Sequence, residues 1–293
     1  MQAPGGFQPA QLQRLPQSSI NVLRLDVVHP VISGNKWFKL RFYIEDALAL
    51  GKTTLLSYGG AWSNHIIALA AAAKLHGMKC IGLIRGEHQH SVTIAAARDY
   101  GMQIYFLPRN AYSQQDIPSE VWAHNNKDDV YVIREGGYGI TGARGAATML
   151  DNLDLSSFDH IVAATGTGTM LAGLAARIAS PQKLTGISVL KNNFSITSEI
   201  NQLLPPEKQN TFTVLHQYHF EGYAKASAGL FDFMNSWYEK TGIPTDFVYT
   251  AKVFYALYDM LDQGILREDE RVLIIHSGGL QGNASLPNGT LIF

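Results

Sequence analysis

The chain has 293 residues, 46% of them hydrophobic and 16% charged, with a formal net charge of -1 and a single cysteine, Cys80. That length buries a substantial core in one large domain or two modest ones, and the composition excludes a disordered chain. A near-zero charge without a Lys/Arg block argues against nucleic acid or an anionic membrane as partner; one cysteine excludes an internal disulfide, and no apolar run approaches ~18 residues.

The stretch Met1–Gly6 lacks the charged-then-apolar pattern of a secretory signal, so a cytoplasmic location is the default expectation. Downstream, short apolar runs alternate with helical patterns. Strands are expected at Thr53–Ser57, Cys80–Ile84, Gln103–Leu107, Val130–Ile133, His160–Ala164, Leu184–Val189, Phe212–His216 and Val272–Ile275. Helices are expected at Ile66–His76, Thr93–Tyr100, Gly142–Asp151, Met170–Ile178, Lys225–Thr241 and Ala251–Gln263. Apolar strands spaced by helices imply βαβ units and parallel sheets, in one sheet or two. Cys80 lies in the apolar run Met78–Ile84 and reads as a buried, unreactive thiol.

Ligands in such folds bind at the carboxyl ends of strands. The glycine-rich turns Gly59-Gly60, Gly136-Gly137, Gly166–Gly168 and Gly278-Gly279 all fall there, which suggests one shared cleft. In Thr165-Gly166-Thr167-Gly168-Thr169 the glycines permit close backbone approach, and the following helix aims free N–H groups at the loop. A phosphate suits this site. A dinucleotide does not, because Leu171 stands where the third glycine belongs and no ribose-binding acid follows. The bare alternative is a tight strand-to-helix turn.

Lys36, in Ser33-Gly34-Asn35-Lys36, could enter a cleft and form an imine if its amine were desolvated. Lys39, one helical turn on, competes with it, and a solvated surface lysine stays open for either. Ser63 or Asn64 could cap the helix that follows them or receive a carboxylate. His65 reads as packing or support rather than as a base. Metal is a poor fit, since the ten histidines contain no His-Glu-x-x-His and His88-Gln89-His90 has no supporting cluster. A Gly-x-Ser-x-Gly elbow is absent, and no carboxylate pair stands out. An imine-forming lysine, a Ser-Asn pair on a turn and a phosphate-sized nest together match the needs of pyridoxal 5'-phosphate (PLP).

These motifs resemble the 1-aminocyclopropane-1-carboxylate (ACC) deaminase and D-cysteine desulfhydrase family of PLP enzymes. The resemblance runs through Gly34-Asn35-Lys36-x-x-Lys39-Leu40, Gly59-Gly60-x-x-Ser63-Asn64-His65, Leu75-x-Gly77-Met78-Lys79-Cys80, Glu135-Gly136-Gly137, Thr165–Thr169, Val248-Tyr249 and His276-Ser277-Gly278-Gly279. It implies an α/β fold of two open, twisted, mostly parallel sheets with helices on both faces (fold type II) and PLP in the cleft between domains. The larger domain would span residues 1–38 and 148–293, the smaller 39–147, in a homodimer. It implies that Lys36 bonds the cofactor aldehyde, that Asn64 contacts the ring hydroxyl, and that Ser63, with Asn64 and His65, faces the substrate carboxylate. Gly166, Thr167, Gly168 and Thr169 become the phosphate cup, Tyr223 and Tyr249 lie near the substrate, and Ser277 lies beside the pyridine nitrogen. A neutral hydroxyl there suits elimination over transamination.

In ACC deaminases the residue after the Tyr249 counterpart is typically glutamate and the Ser277 slot holds leucine. Thr250 and Ser277 therefore resemble the desulfhydrase side. The segment Phe220–Lys225 departs from the family's usual proline-containing stretch. The expected function is a PLP-dependent lyase releasing ammonia and a 2-oxo acid from a small amino acid. True ACC ring opening is the alternative. A non-catalytic PLP- or phosphometabolite-binding protein and an NAD-linked enzyme are alternatives from other classes.

Overall fold

A computed structural model of the chain describes residues 6–16, 18–87 and 90–293. His88 and Gln89 of the His88-Gln89-His90 stretch, and most of the Met1–Gly6 stretch, lie outside the described residues. The strands in chain order are β1 Gln11–Arg14, β2 Ile20–Arg24, β3 Thr54–Gly59, β4 Lys79–Arg85, β5 Met102–Leu107, β6 Val130–Ile133, β7 His160–Thr165, β8 Lys183–Ser188, β9 Thr213–Leu215 and β10 Val272–His276. The helices are α1 Asn35–Ala49, α2 Asn64–Leu75, α3 Val92–Asp99, α4 Arg109–Gln114, α5 Ser119–His124, α6 Ile140–Ala147, α7 Thr169–Arg177, α8 Ile196–Asn201, α9 Ala228–Thr241 and α10 Thr250–Asp262.

The strands form two sheets. One has six strands in the order β1-β2-β10-β7-β8-β9, the other four in the order β5-β4-β3-β6. Every pairing is parallel except β1 with β2. The central strands are largely apolar because both faces are covered: all of β3, β7 and β10 are buried. The register aligns Ile274 with Val22 on one side and Val162 on the other. In the smaller sheet Leu56 aligns with Ile81 and Val132. Residues 54–133 thus build a complete four-stranded sheet between β2 and β7 of the larger one.

The expected strands and helices are all present within a few residues. Helix α6 is the largest departure: it starts at Ile140, and residues 148–150 form a separate 3-10 turn instead of completing one long helix. The stretches Gln11–Arg24 and Asn35–Ala49 carry no expectation above, yet they form β1, β2 and α1. Helix α1 has apolar Trp37, Leu40, Tyr43, Ile44 and Ala47 on its buried face, a period near 3.6. Cys80 is buried in β4, and burial pushes its thiol up.

Candidate active site

The turns at the carboxyl ends of the strands converge. Gly60, Gly136, Gly166, Gly168, Gly278 and Gly279 all line one cavity of about 640 Å³. Both sheets contribute walls, so a ligand held there contacts residues far apart in sequence.

Lys36 reaches this cavity from the first turn of α1. The helix begins at Gly34, whose φ is +63°. A Cβ at Gly34 would lie 1.8 Å from the Ser277 carbonyl oxygen, so only glycine lets α1 dock here. The docking is sealed by the Asn35 amide, which donates to the same carbonyl at 3.1 Å. Lys36 Nζ donates to Asn35 Oδ1 at 2.6 Å and lies 6.0 Å from the Tyr249 ring centroid. Desolvation lowers the Lys36 pKa to about 8, with Asp246 opposing the fall. The amine is thus poised to be neutral and nucleophilic in mildly alkaline water. Lys39 also lines the cavity, but its Nζ donates to the Gly136 carbonyl at 3.1 Å. Burial first, and the Lys36 charge second, push the Lys39 pKa well down. Neither lysine is a solvated surface residue.

Across the cavity, α7 begins directly after the Thr165–Gly168 loop. Gly168 has φ +79°, and no side chain caps the helix. The Thr167 and Thr169 hydroxyls lie 3.2 Å apart, and Thr165 Oγ1 is buried without a partner. Free helix N–H groups and hydroxyl donors together make an anion receptor. Gly166, Thr167 and Gly168 face the cavity, whereas Thr169 is fully buried behind them.

Ser63 and Asn64 open α2. Ser63 Oγ accepts from the Ile66 amide at 3.4 Å, so the capping expectation holds, and Ser63 also lines the cavity. Asn64 Nδ2 donates to the Gly279 carbonyl at 3.3 Å. His65 is buried with Nε2 2.8 Å from Ser57 Oγ. Desolvation, then the Lys36 and Lys39 charges, lower its pKa to about 3, so the imidazole stays neutral.

Tyr249 stands at the start of α10. Asp246, fully buried, accepts from the amides of Val248, Tyr249 and Thr250 at 3.0, 2.9 and 2.8 Å. Its Oδ1 also accepts from the Thr250 hydroxyl at 2.7 Å. Thr250 therefore points at Asp246 and is absent from the cavity lining. The Tyr223 ring lies 6.1 Å from the Tyr249 ring, edge-on, and both rings line the cavity. Ser277 lines it too, placed by His276, whose Nε2 donates to the Pro244 carbonyl at 2.7 Å. Among the described residues, no group of three or more His, Cys, Asp or Glu side chains is arranged to hold a metal ion.

Residues 5–278 match the family model described as "Pyridoxal-phosphate dependent enzyme". This chain belongs to the pyridoxal-phosphate-dependent enzyme family. A Thermotoga maritima protein provisionally named 1-aminocyclopropane-1-carboxylate deaminase is 31% identical, over 90% of this chain and 89% of its own. The D-cysteine desulfhydrase of Serratia proteamaculans is 26% identical, over 89% of this chain and 86% of its own. A crystal structure of an ACC deaminase homologue superposes with a TM-score of 0.81 at 26% identity, covering 94% of this chain and 91% of that one.

PLP suits the residues present. The uncapped start of α7, with the orphaned Thr165 hydroxyl beside it, can take the phosphate. Lys36 could supply an amine for the aldehyde, and Asn64 and Ser277 could supply polar contacts for a ring between them. The residues singled out from sequence line this one cavity, with Thr169 behind the loop. Asp246 and the exposed pair Arg85 and Arg109, which also line the cavity or support it, carried no expectation. For Asp246 a signal existed: an acidic residue just before an apolar helical pattern is a capping signature. Arg85 and Arg109 leave no such trace, because only the fold brings the ends of β4 and β5 to this cleft.

Proposed function

We propose that this PLP-dependent enzyme is a lyase that takes a small amino acid and releases ammonia and a 2-oxo acid. The reading is carried by one observation: a desolvated amine, Lys36, faces an uncapped helix start across a cavity lined by polar groups from both sheets. The sequence relatives named ACC deaminase and D-cysteine desulfhydrase support it.

In this reading Lys36 bonds the cofactor, and the cofactor when bound withdraws electrons from the substrate's α-carbon. Gly166, Thr167 and Gly168, with Thr169 behind, would hold the phosphate. Asn64 would meet the ring hydroxyl and Ser277 the ring nitrogen, a neutral contact that would favour elimination. The start of α2, with Ser63, Asn64 and the neutral His65, holds the substrate carboxylate. The freed Lys36 amine takes a proton from the substrate, and Tyr223 and Tyr249 stand where a leaving group must be protonated. For D-cysteine and one water the products balance as hydrogen sulfide, pyruvate and ammonia. For ACC and one water they are 2-oxobutanoate and ammonia.

Thr250 and Ser277 favour the desulfhydrase side. A glutamate at 250 would project from the buried point where Thr250 now bonds Asp246. We assign residues 1–38 and 148–293 to a larger PLP-bearing domain and 39–147 to a smaller one, with α1 crossing between them. We also assign the protein to the cytoplasm as a homodimer; among the described residues no helix is long and apolar enough to cross a membrane. Sedimentation at a single-chain mass would overturn the dimer.

A 2-oxo acid assay over D- and L-cysteine, D- and L-serine and ACC tests the activity. Pyruvate from D-cysteine with little 2-oxobutanoate from ACC is the expected result. Turnover of ACC alone would transfer the assignment to a true ACC deaminase, and a yellow protein silent on the whole panel would make it a PLP-binding protein without turnover.

A further inference from the structure

The loop after β9 holds a backbone that its own sequence does not favour. Phe220, Glu221 and Ala224 have φ of 49°, 67° and 53°. Left-handed backbone is disfavoured for residues with side chains, and strain of this kind persists only where the surroundings over-determine it.

The surrounding group is Lys252, a fully buried side chain on the first turn of α10. Its Nζ donates to the carbonyls of His219 and Gly222 at 2.9 and 2.8 Å. Those carbonyls also accept from the Gly222 and Lys225 amides at 2.9 and 3.2 Å, so the ammonium joins both halves of the turn. Tyr255, one helical turn further along α10, packs edge-on against Phe220 at 4.9 Å. A lysine is seldom buried unless it is paired. Here desolvation lowers its pKa to about 8, and Asp246 acts against that fall. The clamped turn leads straight into Tyr223, whose ring meets Tyr249. One helix start therefore presents Tyr249 directly and reaches Tyr223 through Lys252.

We propose that Lys252 is a positioning residue that sets the Tyr223 hydroxyl against Tyr249 at the cavity by clamping the His219–Gly222 turn. The proposal rests on the reading that Tyr223 faces the substrate.

The test is a double-mutant cycle on the PLP-loaded enzyme with Lys252→Met and Tyr223→Phe, with amide hydrogen exchange of residues 219–225 followed in parallel. Lys252→Met should lower kcat/KM by roughly tenfold or more in the parent but by less than about twofold in the Tyr223→Phe background. Exchange in 219–225 should quicken while β10 and α7 stay protected. Equal losses in both backgrounds, or unaltered exchange in the loop, would overturn the proposal. Should Lys252→Met fail to fold, the unsubstituted enzyme still decides. The Gly222 and Lys225 amides should exchange as slowly as those of α10, and exchange as fast as an open surface loop refutes the clamp. If the parent turns over no amino acid, the activity reading fails while the exchange measurement still judges the clamp.

Discussion

At the scale of single residues, the chemistry depends on how a buried amine is kept reactive without being kept charged. The Lys36 pKa is lowered to about 8 by desolvation, and the Asp246 charge resists that fall. The neutral amine is the nucleophile, so the rate at which protein stripped of cofactor captures PLP should rise with pH through about 8 and then level off, as stopped-flow absorbance would record. Asp246→Asn removes the opposing charge and should move that midpoint lower. The same substitution weakens an acceptor serving three backbone amides and a hydroxyl, at a cost of about 2–4 kcal/mol in denaturant unfolding. A midpoint that stays put in the variant would separate Asp246 from Lys36. Lys39 shows why sequence could not choose between the two lysines: both reach the cavity from the first turns of α1, and only their partners, Asn35 and Tyr249 for Lys36 and the Gly136 carbonyl for Lys39, distinguish them.

At the scale of elements, what was legible followed from local periodicity. Strands such as β3, β7 and β10 are largely apolar runs that end in glycine turns; α2 follows β3 and α7 follows β7 with helical spacing, and α10 precedes β10. Helix α1 is less plain because Asn35 and Lys39 put polar residues on its buried face, beside the half-buried Lys36, a pattern that makes sense only with the cavity present. The Phe220–Ala224 loop was recognisable as a departure from the family pattern, yet the carbonyls on either side of its left-handed residues bond Lys252, distant in sequence. The contact between α1 and the turn after β10 is likewise long-range, and it gives a sharp prediction. Gly34→Ala places a methyl against the Ser277 carbonyl and keeps a positive φ, so it should destabilise by roughly 3 kcal/mol or more. An unfolding midpoint within error of the parent's would refute that docking geometry.

At the scale of the whole molecule, the two sheets meet their ligand together. The cavity draws α1, β7 and β10 turns from one part of the chain and the β3, β4 and β6 turns from the residues inserted between β2 and β7. Ligand that binds only the folded state stabilises all of it, by about 2.7 kcal/mol at a hundred times Kd. PLP should therefore raise the melting temperature of stripped protein clearly, whereas pyridoxal, lacking the phosphate that we propose α7 receives, should raise it far less. Equal shifts from the two would remove α7 from the site. The most direct measurement is borohydride reduction of the yellow protein followed by peptide mass mapping. A reduced PLP adduct on Lys36 and nowhere else is the predicted result; an adduct on Lys39, or none on either lysine, would contradict the account.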